Sequence, residues 1–147
     1  MGEGDSPMNT WLYNDKPIEL ENIENYIGFV YLITNTLNDK KYIGKKLLKF
    51  KKTKTLKGKK KKILVESDWQ TYYGSNDVLK KEVQEHGSKN FKREIIRFCK
   101  NKSELTYFEL KEQIIRGALE SDKYYNSWIY VRVRKEHLKS VDFSTYI

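Results

Sequence analysis

Two β-forming runs joined by a turn constrain this chain more than any other feature. Phe29 to Thr34 (Phe-Val-Tyr-Leu-Ile-Thr) is dense in aromatic and β-branched residues and reads as a strand. Asn35 to Lys40 is turn chemistry, because Asn and Asp accept left-handed backbone and bond their own main chain. Lys41 to Gly44 reads as the returning strand. The resulting hairpin brings Tyr31 and Tyr42 together. A third strand is expected over Phe91–Cys99. Ser75 is expected to cap a short helix running to about His86, with Asp77 in its favourable first turn and Gly87 at its end. Ser103 is expected to cap a longer helix to about Leu119. Its apolar stripe is Leu105, Phe108, Ile115 and Leu119, with Tyr107, Ile114 and Ala118 opposite, which predicts cover on two faces. Trp11 to Asn25 is a polar lead-in without an assigned structure. These elements predict an α+β fold, a small three-stranded antiparallel sheet flanked by helices in a single domain.

A length of 147 residues suits one modest core, with neither internal repeats nor an interdomain linker visible. Residues 1–7 read as a remnant of expression and Met8 as a natural start, leaving residues 8–147 for the domain. Nothing approaches the ~20 apolar residues of a membrane span, and the N-terminus has no secretory pattern. The single cysteine, Cys99, can form neither an internal disulfide nor a zinc site. It reads as a packed residue in an intracellular, cytoplasmic protein. His86 and His137 lack metal-ligand spacing and read as surface residues.

The net charge of +9 is unevenly distributed. Lys45 to Lys62 contains eleven lysines and no acidic residue, whereas the rest of the chain holds 18 basic against 20 acidic residues. This block is expected to be a mobile loop that seeks polyanions. A merely solubilising loop, RNA and an anionic membrane surface are the other readings. The membrane is disfavoured because Leu47, Leu48, Phe50 and Leu56 show no amphipathic period.

Phosphodiester hydrolysis needs a group that activates water, charge neutralisation in the transition state and a hold on the leaving oxygen. A divalent ion on a carboxylate supplies the last two. The chain offers tyrosines, lysines and a helical glutamate rather than the clustered carboxylates of a two-metal site. Gly28-Phe-Val-Tyr31, followed by Tyr42-Ile-Gly44, resembles the GIY-YIG nuclease family. His86-Gly-Ser-Lys-Asn-Phe91, leading into Arg93-Glu-Ile-Ile, is similar to that family's entry into its third strand. Glu109 in Leu-Thr-Tyr-Phe-Glu matches its metal-binding glutamate, and Asn126 in Tyr-Tyr-Asn its late asparagine. The match spans about residues 28–126 and is most similar to phage-encoded, free-standing members related to homing endonucleases, which would act in the host cytoplasm.

The resemblance implies a metal-dependent endonuclease acting on double-stranded DNA with one Mg²⁺ or Mn²⁺. Glu109 would hold the ion and Asn126 would orient the site. Tyr31 would activate or position water, and Tyr42 would bond the scissile phosphate or its water. A phenol titrates near pH 10 and needs a nearby cation to act as a base, and Lys45 is the best-placed candidate. Lys46, Lys49, Lys52, Lys57, Lys59, Lys60, Lys61 and Lys62 would contact the DNA backbone. Glu112 is a rival for Glu109, nearer the middle of the apolar stripe. The family usually carries an arginine soon after the second tyrosine, whereas here none occurs between Tyr42 and Arg93. Lys49 or Lys52 would have to replace it without a guanidinium fork, or Lys45 or Lys46 would take the role. A catalytically inactive DNA-binding module of the same fold is the alternative. The sequence leaves monomer and dimer open.

Overall fold

The computed structural model describes residues 10–129 and 135–140. Among these residues, seven strands and two α-helices follow one another as β1 (Leu12–Tyr13), β2 (Lys16–Pro17), β3 (Gly28–Asn35), β4 (Lys40–Leu47), β5 (Lys49–Leu56), β6 (Lys59–Glu66), α1 (Asp77–His86), β7 (Phe91–Cys99) and α2 (Lys102–Ile115). The main sheet has five strands in the order β2-β1-β7-β3-β4, and β5 and β6 form a separate two-stranded ribbon. The fold is α+β as expected, but the sheet is larger than three strands and mixed. β3 pairs antiparallel with both β4 and β7, whereas β1 runs parallel to β7. The two added strands come from the lead-in. Each is two residues long, too short for a periodic signal, and they turn through Asn14 and Asp15 at φ of 53° and 64°.

β3 is the middle strand, and all eight of its residues are buried. Phe29, Tyr31 and Ile33 point into one core with Trp11, Trp69, Leu79 and Phe91. Val30 and Leu32 point into a second core with Ile43, Cys99, Leu105 and Ala118. Covered on both faces, such a strand reads as an unbroken apolar run. Cys99 is buried as expected, and burial pushes its thiol up to about 11. β7 carries an irregularity opposite Val30 and Tyr31, where the pairing passes from Arg97 to Ile95 and skips Ile96.

Both helix caps differ from the sequence expectation. Asn76, not Ser75, accepts the Leu79 N–H, and Asn101, not Ser103, accepts the Glu104 N–H. Asn and Ser serve comparably as caps, so local chemistry alone leaves the choice open. α2 ends at Ile115 rather than near Leu119. Gly117 is left-handed at φ 66°, its N–H bonds the Ile114 carbonyl, and the Ala118 N–H bonds that of Gln113. That paired closure satisfies the last carbonyls and stops the helix. α2 is also covered on one side only. Leu105 and Gln113 are buried, whereas Tyr107, Ile114 and Ile115 are exposed.

The lysine block is not a loop. Lys45 and Lys46 belong to β4, and the remainder forms the ribbon, with Lys54 opposite Lys61 and Leu56 opposite Lys59. Lys57 and Gly58 are both left-handed, with φ of 51° and 77°. Positive φ at both central residues is the turn that matches strand twist in a tight hairpin. No helix among the described residues is long and apolar enough to cross a membrane. Residues 1–7 lie outside the described residues, as do Tyr130, Arg132, Arg134 and the side chain of His137.

Candidate active site

β4 is an edge strand, and its alternation sends consecutive side chains to opposite faces of the sheet. Tyr42, Gly44 and Lys46 share the face of Tyr31, through the pairs Ile33–Tyr42, Tyr31–Gly44 and Phe29–Lys46. Ile43 and Lys45 face α2 on the other side. A cleft of about 430 Å³ opens across this edge and collects groups from both faces. Tyr42 and Ser75 enter from the tyrosine side, Lys45 from the strand itself, Glu109 and Gln113 from α2, and Asn126 and Trp128 from the segment after it.

Tyr42 is half-buried, and its Oη lies 2.9 Å from Ser75 Oγ. Burial raises its phenol, partly offset by the Ser75 hydrogen bond. Because Asn76 caps α1, the Ser75 hydroxyl is left to meet Tyr42.

Tyr31 lies behind Tyr42, with ring centroids 6.1 Å apart, and is 0 % exposed. Its hydroxyl bonds the side chain of Tyr72. Burial first, then the neighbouring Tyr42 and Tyr72 phenols and the Glu109 carboxylate, hold it well above the usual tyrosine range. Gly44 sits directly opposite, and a Cβ there would collide with the Tyr31 hydroxyl. The second glycine of the hairpin motif is therefore the space that the first tyrosine occupies.

The sequence reading sets Lys45 beside the Tyr31 phenol, but alternation places it on the helix side. Its Nζ donates to Thr106 Oγ1 at 2.9 Å and stands 3.9 Å from Glu109 Oε1. Glu109 is raised above the ordinary carboxylate range by burial, against the lowering effect of Lys45. Glu112, its rival by helical angle, is half-buried but does not line the cleft, and it pairs with Arg116 at 2.8 Å. Lys46 is on the tyrosine face, 2.6 Å from Asp68 and 4.0 Å from the Tyr72 ring centre.

Asn126 is 2 % exposed and makes a two-bond clasp on the edge strand. Its Oδ1 accepts from the Ile43 N–H at 3.0 Å, and its Nδ2 donates to the Ile43 carbonyl at 2.8 Å. With the Lys41–Tyr124 bridge, this lays the chain along β4 as if it were a further strand. The asparagine thus builds the cleft wall.

A family model described as "Putative endonuclease segE, GIY-YIG domain" matches residues 11–129. The chain belongs to the GIY-YIG endonuclease family. No curated protein and no solved structure matches it.

Two site residues escape a reading of the sequence. Ser75 has the look of a helix cap. Gln113 lies one turn after Glu109 on the same helix face, and that i, i+4 spacing is the available signal. Its Oε1 is buried without a hydrogen-bond partner. Among the described residues, no arginine lines the cleft to replace the one usual in GIY-YIG enzymes after the second tyrosine. Arg93 is 3 % exposed, donates to the Gln70 and Tyr72 carbonyls and lies between the rings of Trp11 and Tyr73. It fastens the segment that carries Tyr72. Neither Lys49 nor Lys52 lines the cleft, whereas Lys45 does.

Proposed function

We propose that this chain is a divalent-metal-dependent endonuclease that hydrolyses double-stranded DNA in the cleft on the edge of β4. The observation that carries this reading is the convergence of Tyr42, Lys45 and Glu109, from both faces of the sheet, on one cleft walled by Asn126. No group of three or more His, Cys, Asp or Glu that could hold a metal occurs among the described residues. The donor set nevertheless fits a single Mg²⁺ or Mn²⁺. Mg²⁺ keeps several waters and commonly takes one or two carboxylates plus substrate phosphates. Glu109 is the protein carboxylate for that role, and its desolvated charge favours a cation beside it. The ion would supply Lewis-acid stabilisation of charge on the phosphate and leaving oxygen.

The chain's own residues do the rest. Lys45 holds Glu109 and carries positive charge to the phosphate. Tyr42 bonds the phosphate or the attacking water through its Oη, with Ser75 fixing the hydroxyl. Tyr31 works one layer back, positioning Tyr42 and Tyr72 rather than touching substrate. Plasmid incubated with the protein and Mg²⁺ or Mn²⁺ is expected to be cut, and Glu109→Ala to be inactive while still binding duplex. Binding without cleavage by the parental protein would leave the inactive DNA-binding module as the reading. A fully active Glu109→Ala protein would remove Glu109 from the chemistry.

A further inference from the structure

The β5–β6 ribbon demands an explanation that a solvated loop would not. Every residue from Lys51 to Lys62 is exposed. Among the described residues, none of the lysines in that stretch enters an ion pair. Lys54 lies directly opposite Lys61, a like-charge pairing that disfavours the ribbon. A lone two-stranded hairpin is already marginal in water. The form is therefore expensive unless a polyanion lies along it.

We infer that this ribbon seats in the major groove of the duplex held in the cleft, presenting its Phe50-bearing face to the DNA. The inference rests on the reading of the chain as a DNA nuclease. Eight residues per strand give a ribbon about 27 Å long. The major groove, about 12 Å wide, admits a two-stranded ribbon, whereas the minor groove is only about 6 Å wide. The choice of face follows from a second depression, of about 480 Å³, lined by Lys45, Phe50, Lys102 and Thr106. Lys45 lines the cleft as well, so the two hollows meet at that residue. A strand leaving the cleft past Lys45 reaches Phe50 next. Cross-strand partners share a face, so Lys52, Lys54, Lys59 and Lys61 lie on the side of Phe50. Lys49, Lys51, Lys60 and Lys62 lie on the other. On the Phe50 side Ile63 and Val65 are half-buried, whereas Leu64 on the other face is 64 % exposed. That difference turns the Phe50 side toward the body and its hollows.

The two faces carry four lysines each, which permits a test at constant net charge. One variant changes Lys52, Lys54, Lys59 and Lys61 to Ser, the other Lys49, Lys51, Lys60 and Lys62. Affinity for a duplex is measured across a salt series, and dimethyl sulfate footprints are taken of the parental complex. The Phe50-face variant is expected to lose roughly tenfold or more in affinity. Its salt slope should flatten by up to about 3.6, at about 0.9 for each phosphate that is no longer neutralised. The other variant should lose clearly less. Guanine N7, in the major groove, should be protected, and that protection should vanish in the first variant. Equal losses in both variants would show a diffuse charge effect and overturn the inference. Protection of adenine N3 alone would place the ribbon in the minor groove and overturn it equally. Cleavage by the parental protein alongside either result leaves the nuclease reading standing. A parental protein that neither binds nor cuts duplex removes both.

Discussion

The ammonium of Lys45 and the carboxylate of Glu109 face each other at 3.9 Å across the edge of β4, one from the sheet and one from α2. Burial raises the carboxyl and Lys45 lowers it, so the lysine holds the glutamate nearer to its ionised form. Ionised Glu109 is the form that binds a cation. The acid limb of cleavage, and of Mn²⁺ binding measured without DNA, should therefore lie above the ordinary glutamate value of about 4.3. Lys45→Ala should move that limb further up, because only the raising influence of burial remains. A limb that stays put or falls in Lys45→Ala would separate the two residues.

The same shift has a sign in stability. Glu109 titrates higher in the folded chain than in the unfolded one. Its protonated form contributes stability fully below the unfolded value, and this is lost as pH rises through the folded value. Glu109→Gln removes the buried charge while keeping the shape. At neutral pH the variant should melt at or above the parental temperature despite losing cleavage. The difference should shrink as pH falls into the carboxylate range. Thermal melts of both proteins across pH check this, and a variant less stable at every pH would contradict it.

The two tyrosines should separate by depth. Tyr42 lines the cleft, so Tyr42→Phe is expected to lower the single-turnover rate by about 10²–10⁴, the usual worth of a positioned proton-transfer group. Its fold should survive, since the exchange of hydroxyl for hydrogen leaves the ring in place. Tyr31→Phe removes a buried hydrogen bond to Tyr72, worth about 0.5–1.5 kcal/mol of stability. Its rate loss should be smaller than that of Tyr42→Phe. Rates and urea midpoints for both variants test the ranking. A larger rate loss in Tyr31→Phe would return the water-contacting role to Tyr31.

Much of this arrangement is legible in the sequence because its signals are local. The Phe29–Thr34 run, the turn after it and the Phe91–Cys99 strand are dense β patterns, and the structure contains all three. Lys45 falls on the wrong side only when β4 is stopped at Gly44. Continued to Leu47, alternation puts Lys45 opposite Tyr42 and Gly44. The ribbon is hidden by its own charge. Thr53, Thr55 and the Ile63-Leu-Val65 run lie around Lys57-Gly58 at hairpin spacing, but repulsion within a lysine block argues for a loop. Asn126 carries no local signal for its bonds, since its partner is the backbone of Ile43, 83 residues away. Contacts of that range are fixed by tertiary packing alone.

Gly44 and Tyr31 supply the sharpest test of the hairpin motif as a packing device. A Cβ at Gly44 would overlap the Tyr31 hydroxyl and lie 2.5 Å from its ring carbon Cζ. The Gly44 backbone has no left-handed φ, so the cost of Gly44→Ala is steric rather than conformational. Overpacking of a filled core typically costs about 1–3 kcal/mol. Gly44→Ala should therefore destabilise the chain and displace the Tyr31 ring, and through it Tyr42. Tyr31→Phe removes the overlapping oxygen but leaves Cζ in place. The double variant should accordingly recover part of the loss. Residues in direct contact couple by about 0.5–3 kcal/mol in a double-mutant cycle, and here the coupling should favour the double variant. Urea unfolding of the parent, the two single variants and the double variant measures it. Strict additivity would mean that the backbone of β4 shifts to admit the methyl group, and that the glycine is not reserved for the tyrosine.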